Sequence, residues 1–94
     1  MSEKFDGVPV AEDTKILFRL EAKLGEFDIL YEKWSWEGIL AESFIFANDD
    51  ISGMTDEEIE QEVRKSPLVK KESEVLIKRL DAGFTFANFN FEAT

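Results

Sequence analysis

The chain has 94 residues, 44% of them hydrophobic, and a formal net charge of −10, and it contains neither cysteine nor histidine. A chain of this length forms one domain around a single core. The missing residue types exclude disulfide bonds, thiolate nucleophiles, the common zinc ligands and the usual proton carrier at neutral pH, so we predict a protein that is not an enzyme and that holds no metal or cofactor.

The start of the chain mixes charged residues with Gly7 and Pro9 and shows no hydrophobic period. We predict a flexible leader over residues 1–13 and a single α+β domain over residues 14–94. Charged side chains occupy the positions where a signal peptide needs an apolar stretch, and the apolar runs elsewhere are short. We therefore expect a cytoplasmic protein that does not contact the membrane.

Two segments of alternating apolar and polar residues follow, over 14–24 and 27–36, with a turn between them. This pattern predicts a β-hairpin. The alternation in the first segment places five apolar residues on one face: Ile16, Phe18, Leu20, Ala22 and Leu24. The next apolar run, 39–47, is rich in aromatic and β-branched residues, which favours a third strand and leaves a helix as the alternative.

The clearest local signal in the chain is a capping box, in which Thr55 is the N-cap and Glu58 lies three residues later. The pattern predicts a helix over 56–65 that ends before Pro67, because the residue before a proline disfavours helical backbone angles. Ile59 and Val63 give this helix its apolar side, so we expect it to pack shallowly on a sheet.

Two more strands are predicted over 74–80 and 84–91, joined by a short turn at 81–83. The predicted element order is β-β-β-α-β-β. This order corresponds to an α+β fold in which an antiparallel sheet of about five strands carries one short helix on one face.

The phenylalanines of the last predicted strand change parity along it. Phe84 and Phe86 have one parity, whereas Phe89 and Phe91 have the other. Two interpretations stay open: a bulge near residues 87–88, or a strand that is covered on both faces.

The loop before the helix resembles the first half of an EF-hand calcium loop, with Asn48, Asp50, Ser52 and Gly53 at the matching positions. The twelfth position is Ile59, whereas an EF-hand needs a bidentate glutamate there to close the coordination sphere. We interpret the segment as a loop that leads into the helix cap, and we predict no metal site.

The excess negative charge is concentrated in the middle of the chain, since residues 26–62 carry twelve carboxylates and one base, Lys33. Affinity for nucleic acid depends on lysine and arginine, so we do not expect this chain to bind nucleic acid directly. Carboxylates at regular intervals on a helix or strand can instead imitate phosphates, and so bind a protein that recognises nucleic acid.

These features predict a small acidic binding protein, an inhibitor that acts on a basic nucleic-acid-processing protein by nucleic-acid mimicry. Tryptophans among the carboxylates would add affinity, because aromatic residues dominate binding hot spots. The predicted partner-binding residues are Asp28, Glu32, Trp34, Trp36, Asp49, Asp50, Asp56, Glu57 and Glu60.

In its small size, acidity and lack of catalytic groups, the chain resembles the anti-CRISPR and anti-restriction inhibitors that phages encode, a resemblance of composition and not of a motif. It implies that the partner is a nuclease or a CRISPR or restriction component in the host cytoplasm. Two alternatives stay open. One is a toxin-immunity protein of similar composition, and the other is a homodimeric structural or adaptor domain joined through an aromatic face of the sheet.

Overall fold

The computed structural model describes residues 3–94 and confirms the predicted α+β class, with five antiparallel strands in one sheet and one helix. The elements are β1 Lys15–Leu24, β2 Phe27–Trp36, β3 Ile39–Ala47, α1 Asp56–Arg64, β4 Leu76–Arg79 and β5 Phe84–Ala93. The strand order in the sheet is β1-β2-β3-β5-β4, and the run 39–47 is a strand. Within the described part of the chain, no helix has the length and apolar composition needed to cross a membrane.

Strand β1 contains a bulge that its sequence pattern does not predict. Ile16 lies opposite Trp34 and Phe18 lies opposite Lys33, so Leu17 is an extra residue in this strand. A bulge reverses the alternation of side chains, and Ile16 therefore lies on the other face of the sheet from Phe18. The prediction that these two side chains share a face is wrong, because three consecutive apolar residues fit either register.

Helix α1 packs on one face of the sheet, which we call the helix face. Its capping box is confirmed: Thr55 Oγ1 accepts a hydrogen bond from the Glu58 N–H at 3.1 Å, and Glu58 Oε1 accepts one from the Thr55 N–H at 2.9 Å. Ile59 and Val63 are fully buried. They pack with strand residues that define the helix face: Leu24, Ile29, Phe44, Phe46, Ala87 and Phe89.

The opposite face, which we call the N-terminal face, is partly covered by the start of the chain. A second core cluster forms there from Phe5, Val8, Leu30, Ile45 and Phe84, so the prediction of a single core is wrong. The rings of Phe5 and Phe84 stack with their centroids 6.4 Å apart. The structure thus packs part of segment 3–13, where the sequence predicts a flexible leader, against the sheet. Residues 1–2 of that predicted leader lie outside the described residues.

Strand β5 is covered on both faces, which is one of the two interpretations of its phenylalanine pattern. Phe86 lies opposite Ile45 on the N-terminal face, and Phe89 lies opposite Glu42 on the helix face. A bulge also occurs, but beyond residues 87–88, where the pairing with β3 shifts and Asn90 has a φ of 56°. Asparagine tolerates this left-handed conformation better than most residues do.

Asn90 also fixes the connector between α1 and β4 on the helix face. Its Oδ1 accepts a hydrogen bond from the Lys70 N–H at 3.0 Å, and its Nδ2 donates to the Leu68 carbonyl at 2.7 Å. The backbone N–H of Asn90 donates to Ser73 Oγ at 2.7 Å, and Nδ2 also donates to Glu42 Oε2 at 2.8 Å. One strained residue in β5 therefore holds a long irregular segment in place.

Candidate functional site

Most of the predicted contact residues lie at one end of the sheet, because β1, β3 and β4 all run toward that end. The turn 25–26, the loop 48–55 and the turn 80–83 follow these three strands and meet there. We call this surface the acidic end. Its carboxylates are Glu26, Asp28, Asp49, Asp50, Asp56, Glu57 and Asp81.

Two of these carboxylates share one lysine of the N-terminal segment. Lys4 Nζ lies 2.5 Å from Asp50 Oδ2 and 3.5 Å from Asp28 Oδ2, and Lys23 Nζ lies 2.6 Å from Asp28 Oδ1. The hydrogen bond from Lys4 to Asp50 is the main reason that the pKa of Lys4 is raised. The hydrogen bond from Lys23 is the main reason that the pKa of Asp28 is lowered, so Asp28 stays ionised to lower pH.

The other carboxylates of the acidic end are mostly without a basic partner. Arg79 Nε lies 2.8 Å from Asp56 Oδ1. No described base forms an ion pair with Glu26, Asp49, Glu57 or Asp81, all of which are exposed. The acidic end therefore presents uncompensated negative charge to the solvent.

The remaining predicted contact residues lie elsewhere. Glu60 follows Asp56 by one helical turn and forms an ion pair with Arg64 Nε at 2.8 Å. Glu32, Trp34 and Trp36 lie on the N-terminal face. The predicted set thus divides between the acidic end, the exposed side of the helix, and the N-terminal face.

Glu32 is a buried carboxylate, although the sequence indicates an exposed one. Its side chain is 3% exposed, and its Oε2 accepts a hydrogen bond from Arg19 Nε at 2.5 Å. Burial raises the pKa of Glu32, and the ion pair with Arg19 offsets part of that rise. Arg19 Nη2 is also buried, and no described residue accepts a hydrogen bond from it. Glu32 is therefore unsuited to direct contact with a basic partner.

Trp34 begins a short chain of hydrogen bonds across the N-terminal face. Its Nε1 donates to Ser43 Oγ at 2.7 Å, and Ser43 Oγ donates to Asn88 Oδ1 at 2.5 Å. Since an indole nitrogen can only donate, the Ser43 hydroxyl accepts from Trp34, and its own hydrogen is directed to Asn88 Oδ1. These two hydrogen bonds fix the orientation of all three side chains. Nothing in the sequence pattern indicates that they form.

A concave pocket of about 510 Å³ lies on the N-terminal face beside these hydrogen bonds. The segment 9–14 forms one wall, Ile16 of β1 and Leu80 also line the pocket, and residues of β2, β4 and β5 contribute Trp34, Trp36, Phe86 and Lys78. Glu32 and Asn88 also line it. The structure thus brings three of the predicted contact residues together in a pocket, away from the acidic end.

The loop that resembles half of an EF-hand does not converge on a metal. Asn48 Oδ1 accepts a hydrogen bond from Thr85 Oγ1 at 2.7 Å, and Asn48 Nδ2 donates to the Leu80 carbonyl at 3.1 Å. Asp50 contacts Lys4. Across residues 3–94, no group of three or more acidic side chains is placed to hold a metal ion.

Compared with protein-family models, with curated proteins and with solved structures, the chain shows no significant match.

Proposed function

We propose that this protein binds a basic nucleic-acid-processing protein through the acidic end and inhibits it by occupying the surface where nucleic acid binds. The observation that carries the proposal is the meeting of three acidic loops at one end of the five-stranded sheet. Complementary charge of this kind accelerates association and selects basic partners. Within this proposal, the partner is a nuclease or a CRISPR or restriction component in the host cytoplasm.

The ion pairs at the acidic end indicate which carboxylates a partner would contact first. Asp28, Asp50 and Asp56 already have basic neighbours, so a partner would have to replace Lys4, Lys23 or Arg79 to bind them fully. The unpaired carboxylates carry no such cost. Within this proposal, the first contacts of the partner are Glu26, Asp49, Glu57 and Asp81.

The test compares two variants with the same change in net charge. The acidic-end variant carries Glu26→Gln, Asp49→Asn and Asp81→Asn, and the control carries Glu37→Gln, Glu72→Gln and Glu92→Gln at the opposite end of the sheet. Each protein is immobilised and exposed to host lysate at low and at high salt, and the bound proteins are identified by mass spectrometry. Purified candidates are then assayed for nucleic-acid binding with each variant present.

We expect the wild-type protein and the control variant to retain a basic nucleic-acid-binding protein that salt releases, and to compete with its nucleic acid. We expect the acidic-end variant to lose this capture, because the substitutions remove the same carboxylate charges that salt screens in the wild-type protein. Equal capture by both variants, or capture that salt does not weaken, would contradict the proposal.

A second candidate function, a homodimeric structural or adaptor domain, is favoured by the exposed side chains of β1. This ten-residue strand is at the edge of the sheet. Phe18 and Leu20 project from its helix face with 50% and 53% of their surface exposed, beyond the part that α1 covers. Long apolar edge strands readily pair with another chain, so two copies could join edge to edge.

Analytical ultracentrifugation over a range of concentrations tests this candidate. If β1 forms the interface, Leu20→Lys should give a monomer. Leu76→Lys, which changes a side chain of similar exposure (48%) on the opposite edge strand, should leave the dimer intact. A wild-type protein that stays monomeric at all concentrations would remove this candidate.

A further inference from the structure

We infer that the pocket on the N-terminal face binds a small organic anion with a flat apolar body, of the class of aromatic carboxylates. The inference does not depend on the proposed function, because none of the carboxylates of the acidic end lines the pocket. A volume of about 510 Å³ falls in the range typical of pockets for small ligands.

The walls of the pocket favour a flat apolar body. Trp34 and Trp36 are two residues apart on β2 and therefore lie on the same face of the sheet. The hydrogen bond from Trp34 Nε1 to Ser43 Oγ holds the Trp34 ring in one orientation. Phe86 of β5 and Leu80, the residue after β4, add apolar surface. Stacking and burial against these side chains supply the apolar part of the affinity.

The polar groups of the pocket favour an acceptor with negative charge. Because Asn88 Oδ1 accepts from Ser43, its Nδ2 is left as a donor, and no described residue accepts from it. Lys78, which lies opposite Phe86 in the β4–β5 pair, forms no ion pair with a described residue. The charge of Glu32 is already balanced by Arg19. The pocket thus has donors in excess.

The overall charge of the protein opposes an anion only at long range. The net charge is −10, but the Debye length is about 8 Å at physiological salt. Among the described residues that line the pocket, only Glu32 and Lys78 are charged. Lys78 is therefore the charge that a bound carboxylate would contact.

The chain provides its own reporters, because its two tryptophans are both in the pocket. The probe is 2-naphthoate, and its matched control is the neutral 2-naphthamide, which has the same ring system. Each is titrated into ¹⁵N-labelled protein while the two indole N–H resonances are followed by NMR. The protein variants are Lys78→Gln and, as a control of equal charge change, Lys33→Gln, whose side chain lies on the helix face.

We expect 2-naphthoate to shift both indole resonances to saturation. Lys78→Gln should weaken its binding about threefold to fivefold, as expected for a partly exposed ion pair, and Lys33→Gln should not. Binding of 2-naphthamide should be weaker and insensitive to Lys78. The inference is overturned if neither compound shifts the indole resonances. It is also overturned if both compounds bind equally well, or if the two lysine variants behave alike.

Discussion

Glu32 combines two effects that act in opposite directions on one carboxylate. Its side chain is 3% exposed, which disfavours the ionised form, while Arg19 at 2.5 Å favours it. Burial has the larger effect, so the pKa of Glu32 is raised. Between the ordinary value of 4.5 and the raised value, the folded protein keeps a proton that the unfolded chain has lost. The linkage between proton binding and folding therefore favours the unfolded state as the pH rises through this range.

This linkage predicts the behaviour of Glu32→Gln. In the wild-type protein, Glu32 lowers the free energy of unfolding as the pH rises above 4.5. The variant lacks this titrating group, so its free energy of unfolding should fall less over the same pH range. Removing the carboxylate also leaves Arg19 without its partner, but the guanidinium stays charged throughout this range, so it adds no pH dependence to the variant. Urea unfolding of both proteins across this pH range measures the difference. A difference that is constant with pH, or that grows in favour of the wild-type protein as the pH rises, would contradict the pKa shift.

Tyr31 allows a second test at a single residue, because it is the only tyrosine in the chain. Burial raises the pKa of its phenol, and the hydrogen bond to Glu42 Oε1 at 2.5 Å adds to the rise. We expect the absorbance of the phenolate to appear only well above the ordinary value of 10.0. Glu42→Gln should lower the midpoint but leave it above 10.0, because burial is the larger cause. A wild-type midpoint near 10.0, with the fold intact by circular dichroism, would contradict the burial of this ring.

At the scale of elements, the sequence predicts the structure where a local pattern is compatible with only one secondary structure and register. The capping box fixes the start of α1, and alternation gives the bounds of β2 because the glycines at 25 and 38 end it on both sides. The prediction fails where the pattern is compatible with more than one register or strand boundary. The apolar run around Leu17 accepts either register, and β4 begins at Leu76 and not at residue 74.

The candidate site could be predicted only in part, because burial depends on contacts between distant segments. Alternation places Glu32 and Trp34 on the same face, which is correct. The local sequence does not show that Glu32 is buried, because Arg19 and the N-terminal segment come from other parts of the chain. The convergence of three acidic loops likewise follows from strand direction, which is known only once the sheet order is known.

The N-terminal segment gives a prediction at this scale. Phe5 is 1% exposed and stacks on Phe84. Phe5→Ala should therefore reduce the free energy of unfolding by about 3–5 kcal/mol, the usual cost of such a change in a packed core. Val10→Ala is the control, since Val10 is 47% exposed. If the segment is a flexible leader in solution, the two variants will unfold at the same urea concentration.

At the scale of the whole molecule, charge is distributed unevenly along the strand axis. The bases at the acidic end, Lys4, Lys23 and Arg79, are all paired with carboxylates. The opposite end receives the end of α1 and the connector, with Arg64, Lys65, Lys70 and Lys71 among its acids. Repulsion within the fold is therefore concentrated where we propose that the partner binds, and such concentrated charge lowers the stability of the free protein.

This asymmetry predicts that the acidic-end variant, Glu26→Gln with Asp49→Asn and Asp81→Asn, is more stable than the wild-type protein at low salt. Its urea midpoint should be higher by about 0.2–0.5 M, and the difference should vanish near 1 M salt, where the Debye length is about 3 Å. The opposite-end control, with the same change in net charge, should gain less because that end also carries the bases Arg64, Lys65, Lys70 and Lys71. Equal gains in the two variants would mean that net charge alone sets the effect. A gain confined to the acidic end, together with loss of partner capture, would show that these carboxylates are retained for binding at a cost in stability.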